Sequence, residues 1–166
     1  TAREWLLAYM RSGVDCVAVT DHNSGDWIDV LKQELIAMTG EQPRHADFRE
    51  IHLFPGVELT SSEGLHVLAV YGPEGGAAKI YGLLALAQYN NDPKNAHGMC
   101  NASASTICDH IHQTGGVAIL AHAEEINGIF HGSVDATTGD FPPTRPDRSI
   151  EQILEKADAI EIPDEN

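Results

Sequence analysis

The segment Val17-Ala18-Val19-Thr20-Asp21-His22-Asn23 constrains the fold more than any other part of the chain. A run rich in β-branched residues favours a buried strand, and this one stops abruptly on a carboxylate, an imidazole and an amide. In α/β folds with parallel strands, ligands and chemistry collect at the carboxyl ends of the strands. A buried strand followed by an ordinary polar turn has the same local sequence. The weight therefore falls on whether the rest of the chain repeats the pattern.

It does. Thr1-x-x-Glu4 is a capping box, followed by Trp5, Leu6, Tyr9 and Met10 at helical spacing and closed by Gly13. A chain that opens on a helix cap carries the expectation of a further strand ahead of it. Asp15 to Thr20 reads as the first strand. Asp26 to Thr39 reads as a helix with Ile28, Leu31, Leu35 and Met38 on one face and Gly40 as terminator. Glu41 to Glu50, with Pro43, is a loop. Ile51 to Phe54 is apolar, and Pro55-Gly56 reads as a break before a short strand at Val57-Glu58-Leu59. Leu65 to Tyr71 is a strand, Ala77 to Tyr89 a helix and Asn90 to Asn101 a loop. Ser103 to Thr114 is a helix closed by Gly115-Gly116, and Val117 to Ala121 a buried strand ending on His122. Glu124 to Asp147, rich in Gly and Pro, is too long for an idle connection and reads as a lid or active-site loop. Ser149-x-x-Gln152 is a second capping box opening a short helix, and Asp158 to Ile162 is a last strand. Strands alternating with helices imply an α/β fold: a mainly parallel sheet with crossover helices.

Composition bounds the partners. With 166 residues, 42% hydrophobic and 21% charged, the chain suits one soluble globular domain with a real core. No apolar run approaches the roughly 18 residues of a membrane span, so no membrane partner is expected. A net charge of −15 repels polyanions, so nucleic acid is a partner only if other domains supply the contacts. A bound divalent cation would offset part of that charge. The three cysteines form no Cys-x-x-Cys pair, which argues against both a disulfide framework and a thiolate zinc site. Cys16 reads as core packing, and a reducing, cytoplasmic setting is the simplest expectation. Thr1-Ala2-Arg3-Glu4 leads straight into a helix with no signal-peptide pattern.

Four strand ends carry residues able to bind a metal: Asp21-His22, Glu58, His122 and Glu161. His66 begins the next strand and, in a hairpin with the Glu58 strand, shares their side. Histidines with a carboxylate and no thiolate form an N/O ligand set suited to Zn²⁺, Mn²⁺ or Fe²⁺. A single histidine is more often a surface or satisfied core residue than a ligand, and the chain has nine. Strand-end position singles out His22 and His122, and does nothing for His45, His52, His97, His110 or His112. His110 and His112 lie two apart in a helix, face different ways and cannot chelate one ion. Strand-end position does nothing for His131 either, whose one claim is its place in the long loop, where it could approach a substrate. The stretch Gly72 to Lys79 fails as a phosphate loop, because its glycine–lysine spacing is wrong and Ile80 stands where Ser or Thr is needed. No Ser or Cys sits in a nucleophile elbow.

Taken together, these stretches resemble the PHP (polymerase and histidinol phosphatase) family. Gly13 to Asn23 resembles its second metal motif, Phe54-Pro55-Gly56-Val57-Glu58-Leu59-Thr60 its Gly-x-Glu strand, and His66 to Gly72 its His-apolar strand. Gly115 to Ala123 is similar to its later Ala-His motif, and Asp158-Ala159-Ile160-Glu161-Ile162 to the strand that follows. The resemblance implies a distorted (β/α)7 barrel, present here as a partial barrel, with two or three divalent ions at the strand carboxyl ends. It implies His22, Glu58, His66 and His122 as metal ligands, Glu58 bridging two ions, and Asp21 beside them, orienting a ligand. Asp21, His22 and Glu58 would be the catalytic set. The family's first His-x-His motif would precede Thr1 and its final Asp-x-His motif would follow Asn166, so the resemblance implies that residues 1–166 are a PHP-like domain lacking its first and last metal motifs, with an incomplete metal site. The opening helix also resembles PHP domains fused to a P-loop ATPase.

The implied activity is hydrolysis of a phosphate ester, a small ester or a nucleotide, by a metal-activated water. The alternative from another class is a non-catalytic PHP domain serving as a scaffold or regulatory module. Hydrolysis of an amide by a related barrel is a third reading, disfavoured by the motif set.

Overall fold

The computed structural model describes residues 1–91, 95, 97–123, 125, 128–130 and 147–162. Its elements run α1 (Ala2–Arg11), β1 (Cys16–Val19), α2 (Asp26–Gly40), β2 (His52–Thr60), β3 (His66–Val70), α3 (Ala77–Leu86), α4 (Ala104–Gln113), β4 (Val117–Leu120), α5 (Asp147–Lys156) and β5 (Ala159–Ile160). Most of the long stretch read as a lid, with His131, lies outside the described residues.

The five strands form one sheet in the order β1-β2-β3-β4-β5. β1 pairs parallel with β2, and β4 parallel with β5, while β3 runs antiparallel to both its neighbours. Four strands thus point one way and β3 alone runs back, because a tight turn joins it to β2 and a hairpin must reverse. The result is an α/β fold with a mostly parallel sheet. Among the described residues the sheet is open: β1 and β5 each pair on one side only, and no barrel closes.

Pro55-Gly56 does not break the chain. β2 is one nine-residue strand, and this dipeptide is where it changes partners. Positions 52–55 pair with β1, and positions 56–60 with β3. Proline lacks the N–H a central ladder needs, so a hand-over between ladders suits it, while its carbonyl still accepts from Tyr71 N–H at 2.8 Å. Gly56 is required by crowding: a Cβ there would lie 2.7 Å from Thr20 Cγ2 and 2.8 Å from the Ala69 carbonyl oxygen.

Period-two burial places one face of the sheet in the core. Val57, Leu59, Val67, Ala69, Ala118 and Leu120 are buried and pack with Leu6, Ile80, Leu83, Ile107 and Ile111 of the helices. Truncating one of these, such as Leu59→Ala, costs about 2–5 kcal/mol. The alternate positions Glu58, His66, Leu68 and Ile119 are only half buried. Cys16 is exposed rather than core: the alternation in β1 turns Val17 and Val19 inward, and with them the preceding cysteine outward. Cys100 and Cys108 are buried, and burial pushes their thiols up to about 11. Helix α5 starts ahead of Ser149, so the Ser149–Gln152 pair lies inside the helix rather than at its cap. No helix among the described residues is long and apolar enough to cross a membrane.

Candidate metal centre

Everything at the site hangs on the carboxyl-terminal half of β2. Past the end of β1 the chain rejoins β2 in a parallel bridge between His22 and Glu58. Glu58 N–H donates to the Asp21 carbonyl at 3.1 Å, and Asn23 N–H donates to the Glu58 carbonyl at 3.0 Å. On the other side Glu58 lies opposite Leu68 and Thr60 opposite His66, so His66 is the diagonal, same-face neighbour of Glu58. β4 then delivers His122. Ala121 N–H donates to the His66 carbonyl at 3.2 Å, and at His122 the backbone turns to a φ of 28°, a region that non-glycine residues seldom occupy. Glu161, just past β5, holds that turn by accepting from His122 N–H at 2.9 Å.

Three imidazoles surround one carboxylate. His66 Nδ1 is 2.6 Å from Glu58 Oε1, His122 Nε2 is 3.3 Å from the same oxygen, and His22 Nε2 is 3.5 Å from Oε2. His66 Nδ1 and His122 Nε2 are 2.9 Å apart. The Glu58 side chain is 14% exposed, His66 13% and His122 24%, whereas His22 at 37% opens to solvent. Burial pushes the Glu58 carboxyl up, but the hydrogen bond from His66 and the nearby His22 and His66 hold it, on balance, below the usual carboxylate range. Glu58 is therefore an anion at neutral pH.

The donor set fits a divalent cation. Ligand atoms of His22, Glu58 and His66 all lie within 4.8 Å of one another. Atoms about 2.1 Å from one ion in tetrahedral or octahedral directions stand roughly 3.0–3.4 Å apart, close to the separations observed. Two buried imidazole nitrogens, His22 Nδ1 and His122 Nδ1, have no hydrogen-bond partner among the described residues. Those two nitrogens lie on the ring sides away from Glu58; on the near side His22 Nε2, His66 Nδ1 and His122 Nε2 converge on one carboxylate, an N/O set of the kind that binds a divalent cation.

Asp21 is not brought into this cluster. Its side chain is exposed, and only its carbonyl meets Glu58. Neighbours in an extended segment point to opposite sides, so His22 facing Glu58 turns Asp21 away. His112 pairs instead with Asp158 at 2.8 Å at the amino ends of β4 and β5. His45, His52 and His97 are exposed and outside the cluster. A cavity of about 800 Å³ among Leu35, Ile36, Phe48 and Ile51 shares no residue with the cluster and carries none of its histidines. Asn23, wholly buried beside His22, and Glu161 complete the surroundings. The signal for Asn23 was its place at a strand end, where asparagine tolerates a left-handed backbone.

No protein-family model matches the chain, and no curated protein sequence matches it. Solved structures do. One, from Bifidobacterium adolescentis and provisionally described as a metal-dependent phosphoesterase, superposes with a TM-score of 0.55 at 14% identity, over 97% of this chain and 71% of that one. Another, a lesion-specific endonuclease from Pyrococcus furiosus, superposes with a TM-score of 0.53 at 13% identity, over 81% of this chain. The chain spans about a third of the endonuclease, 33% of its length. At such identities the likeness establishes the fold.

Proposed function

We propose that this chain is a PHP-like domain of a metal-dependent phosphoric ester hydrolase, with His22, Glu58, His66 and His122 holding the metal. The observation that carries the reading is the crowding of His22, Glu58 and His66 ligand atoms at the carboxyl edge of a mostly parallel sheet. The likeness to a metal-dependent phosphoesterase and an endonuclease supports it.

A divalent ion held there, Zn²⁺, Mn²⁺ or Fe²⁺, supplies positive charge to a phosphate's oxygens and acidifies water beside it. The chain's own residues do the rest. Glu58, ionised at neutral pH, contributes the anionic ligand and, with an oxygen toward His22 and another toward His66 and His122, has the reach to bridge two ions. The imidazoles add ligands without adding charge, which leaves the site positive enough for a phosphate despite a chain of net charge −15. Glu161 fixes the turn at His122, and the paired backbone of Glu58 fixes the strand end at His22. The substrate class is a small phosphate ester or nucleotide, since a net charge of −15 works against binding a polyanion unless another domain supplies basic contacts.

The test is hydrolysis of a generic phosphomonoester and a phosphodiester with added Mn²⁺ or Zn²⁺. The expected result is metal-dependent turnover that Glu58→Gln removes. Tight metal binding with turnover of neither ester would instead indicate a metal-stabilised scaffold.

A further inference from the structure

Most metal-ligating histidines are oriented by a hydrogen bond from their second ring nitrogen. His22 lacks one: its Nδ1 is buried with no partner among the described residues. Its orientation must come from the backbone. The bonds that join Asp21 and Asn23 to Glu58 hold the chain on both sides of His22, and beyond them the path is set by Asn23, whose φ is 51°. Asn23 is 0% exposed. Its Nδ2 donates to the Gly98 carbonyl at 3.0 Å and the Asn95 carbonyl at 3.3 Å, using both amide hydrogens. Its Oδ1 is buried and without a partner among the described residues. A fold that leaves a buried amide oxygen unpaired to secure the amide's two donors is holding something in place.

What it holds is a segment that belongs to the site's edge. Cys100 N–H donates to the Thr60 carbonyl at 2.8 Å, and Met99 bridges Thr60, the residue opposite His66. Tyr89 Oη also donates to the Asn95 carbonyl, and a side chain at Gly98 would collide with the Tyr89 ring. The segment is therefore fastened by both Tyr89 and Asn23, which share the Asn95 carbonyl.

We infer that Asn23 is a positioning residue: by fastening the strand end to the Asn95 and Gly98 carbonyls it orients His22 for the metal, and so couples metal binding to the order of residues 97–101. This rests on the metal reading above. Coupling of this kind is reciprocal, since whatever His22 gains from the anchored segment the segment gains from an occupied site.

The experiment is a double-mutant cycle on Zn²⁺ affinity, measured by calorimetry, with hydrogen exchange of residues 97–101 recorded with and without Zn²⁺. Asn23→Gly keeps the positive φ and removes the anchor. The expected loss of affinity is about tenfold, and Zn²⁺ no longer slows exchange at 97–101. In a His22→Ala background the same substitution should cost nothing further, because Asn23 acts only through His22. A merely structural residue would cost the same in both backgrounds, and that result overturns the proposal. If Asn23→Gly does not fold, Asn23→Asp carries the cycle, since it tolerates the same backbone but sets carboxylate oxygens against two carbonyls. In the unaltered protein, Zn²⁺ that binds without slowing exchange at 97–101 also overturns it. No Zn²⁺ binding by the unaltered protein refutes the metal reading itself, a separate and distinguishable outcome.

Discussion

Both ends of the sheet set a carboxylate against imidazole, and they do so differently. At the amino ends of β4 and β5, Asp158 is 45% exposed and its Oδ2 takes two donors at 2.8 Å, His112 Nε2 and the Ala118 N–H. The pair ties α4 to the start of β5. At the carboxyl end Glu58 is 14% exposed and faces three imidazoles, with two of their nitrogens buried and unpartnered among the described residues. A histidine–carboxylate pair is thus no sign of a site. Three imidazole nitrogens converging on one half-buried acid form an N/O donor set of the kind that binds a divalent cation.

The sharpest way to break this contrast is to neutralise each acid in turn. Glu58→Gln is expected to lower Zn²⁺ or Mn²⁺ affinity by more than about 100-fold, beyond the 10–100-fold typical of groups that only support ligands. Asp158→Asn should leave affinity within about twofold of the original. Thermal melts give an independent reading. An ion at 100 times its Kd stabilises the fold by about 2.7 kcal/mol, or roughly 5–10 °C for a chain of this length. That gain should vanish in Glu58→Gln, persist in Asp158→Asn and reverse on adding a chelator. Equal effects of the two substitutions would erase the distinction between the ends.

Next in size are the imidazoles. His22→Ala, His66→Ala and His122→Ala should each lower metal affinity by at least the roughly tenfold that loss of a supporting group costs but by less than Glu58→Gln, and His112→Ala by less than about twofold. His22 is the most exposed of the three, so its loss should be the mildest. Calorimetric titration of the four variants ranks them. A loss at His112 matching that at His66 would move the metal, or part of it, to the other end of the sheet.

Much of this was legible in the sequence: His22, His66 and His122 stand at the boundaries of apolar runs and Glu58 is the acid in its short strand, and the family resemblance implied them together as a ligand set. Helices α1 and α2 were equally plain from their apolar faces, α1 also from its cap, and α4 from the Gly115-Gly116 that closes it. What stayed hidden depends on pairing rather than pattern. Pro55-Gly56 looks like a break because proline and glycine punctuate most chains, and only the change of partner within β2 makes them tolerable inside a strand. Asp21 and His22 look like one unit in the sequence, yet an extended backbone sends them to opposite sides. Cys16 resembles a core residue until the phase of the β1 alternation is known. The role of Asn23 needs Gly98, 75 residues away in the chain, to be visible at all.

The smallest expected effect concerns acid, and it tests whether Asp158 is the structural residue that its surroundings imply. The Ala118 N–H, and then His112, hold its carboxyl below the usual range. A carboxyl whose folded pKa is depressed stabilises the fold fully above its unfolded value, about 3.9. The contribution disappears as pH falls through the lower folded value. With Asp158 45% exposed, solvent screening limits the contribution to less than about 1 kcal/mol, a change of at most about 2–4 °C in melting temperature. Asp158→Asn keeps an oxygen for Ala118 but no charge for His112. It should therefore melt slightly below the original at neutral pH and converge with it in acid, on a metal-free sample. Glu58 has the same sign of shift, yet there burial opposes the imidazoles, so its acid limb reports a difference of large effects. If Asp158→Asn showed no convergence in acid, the amino-end pair would contribute nothing through its charge. The contrast between the ends would then rest on the Ala118 hydrogen bond alone.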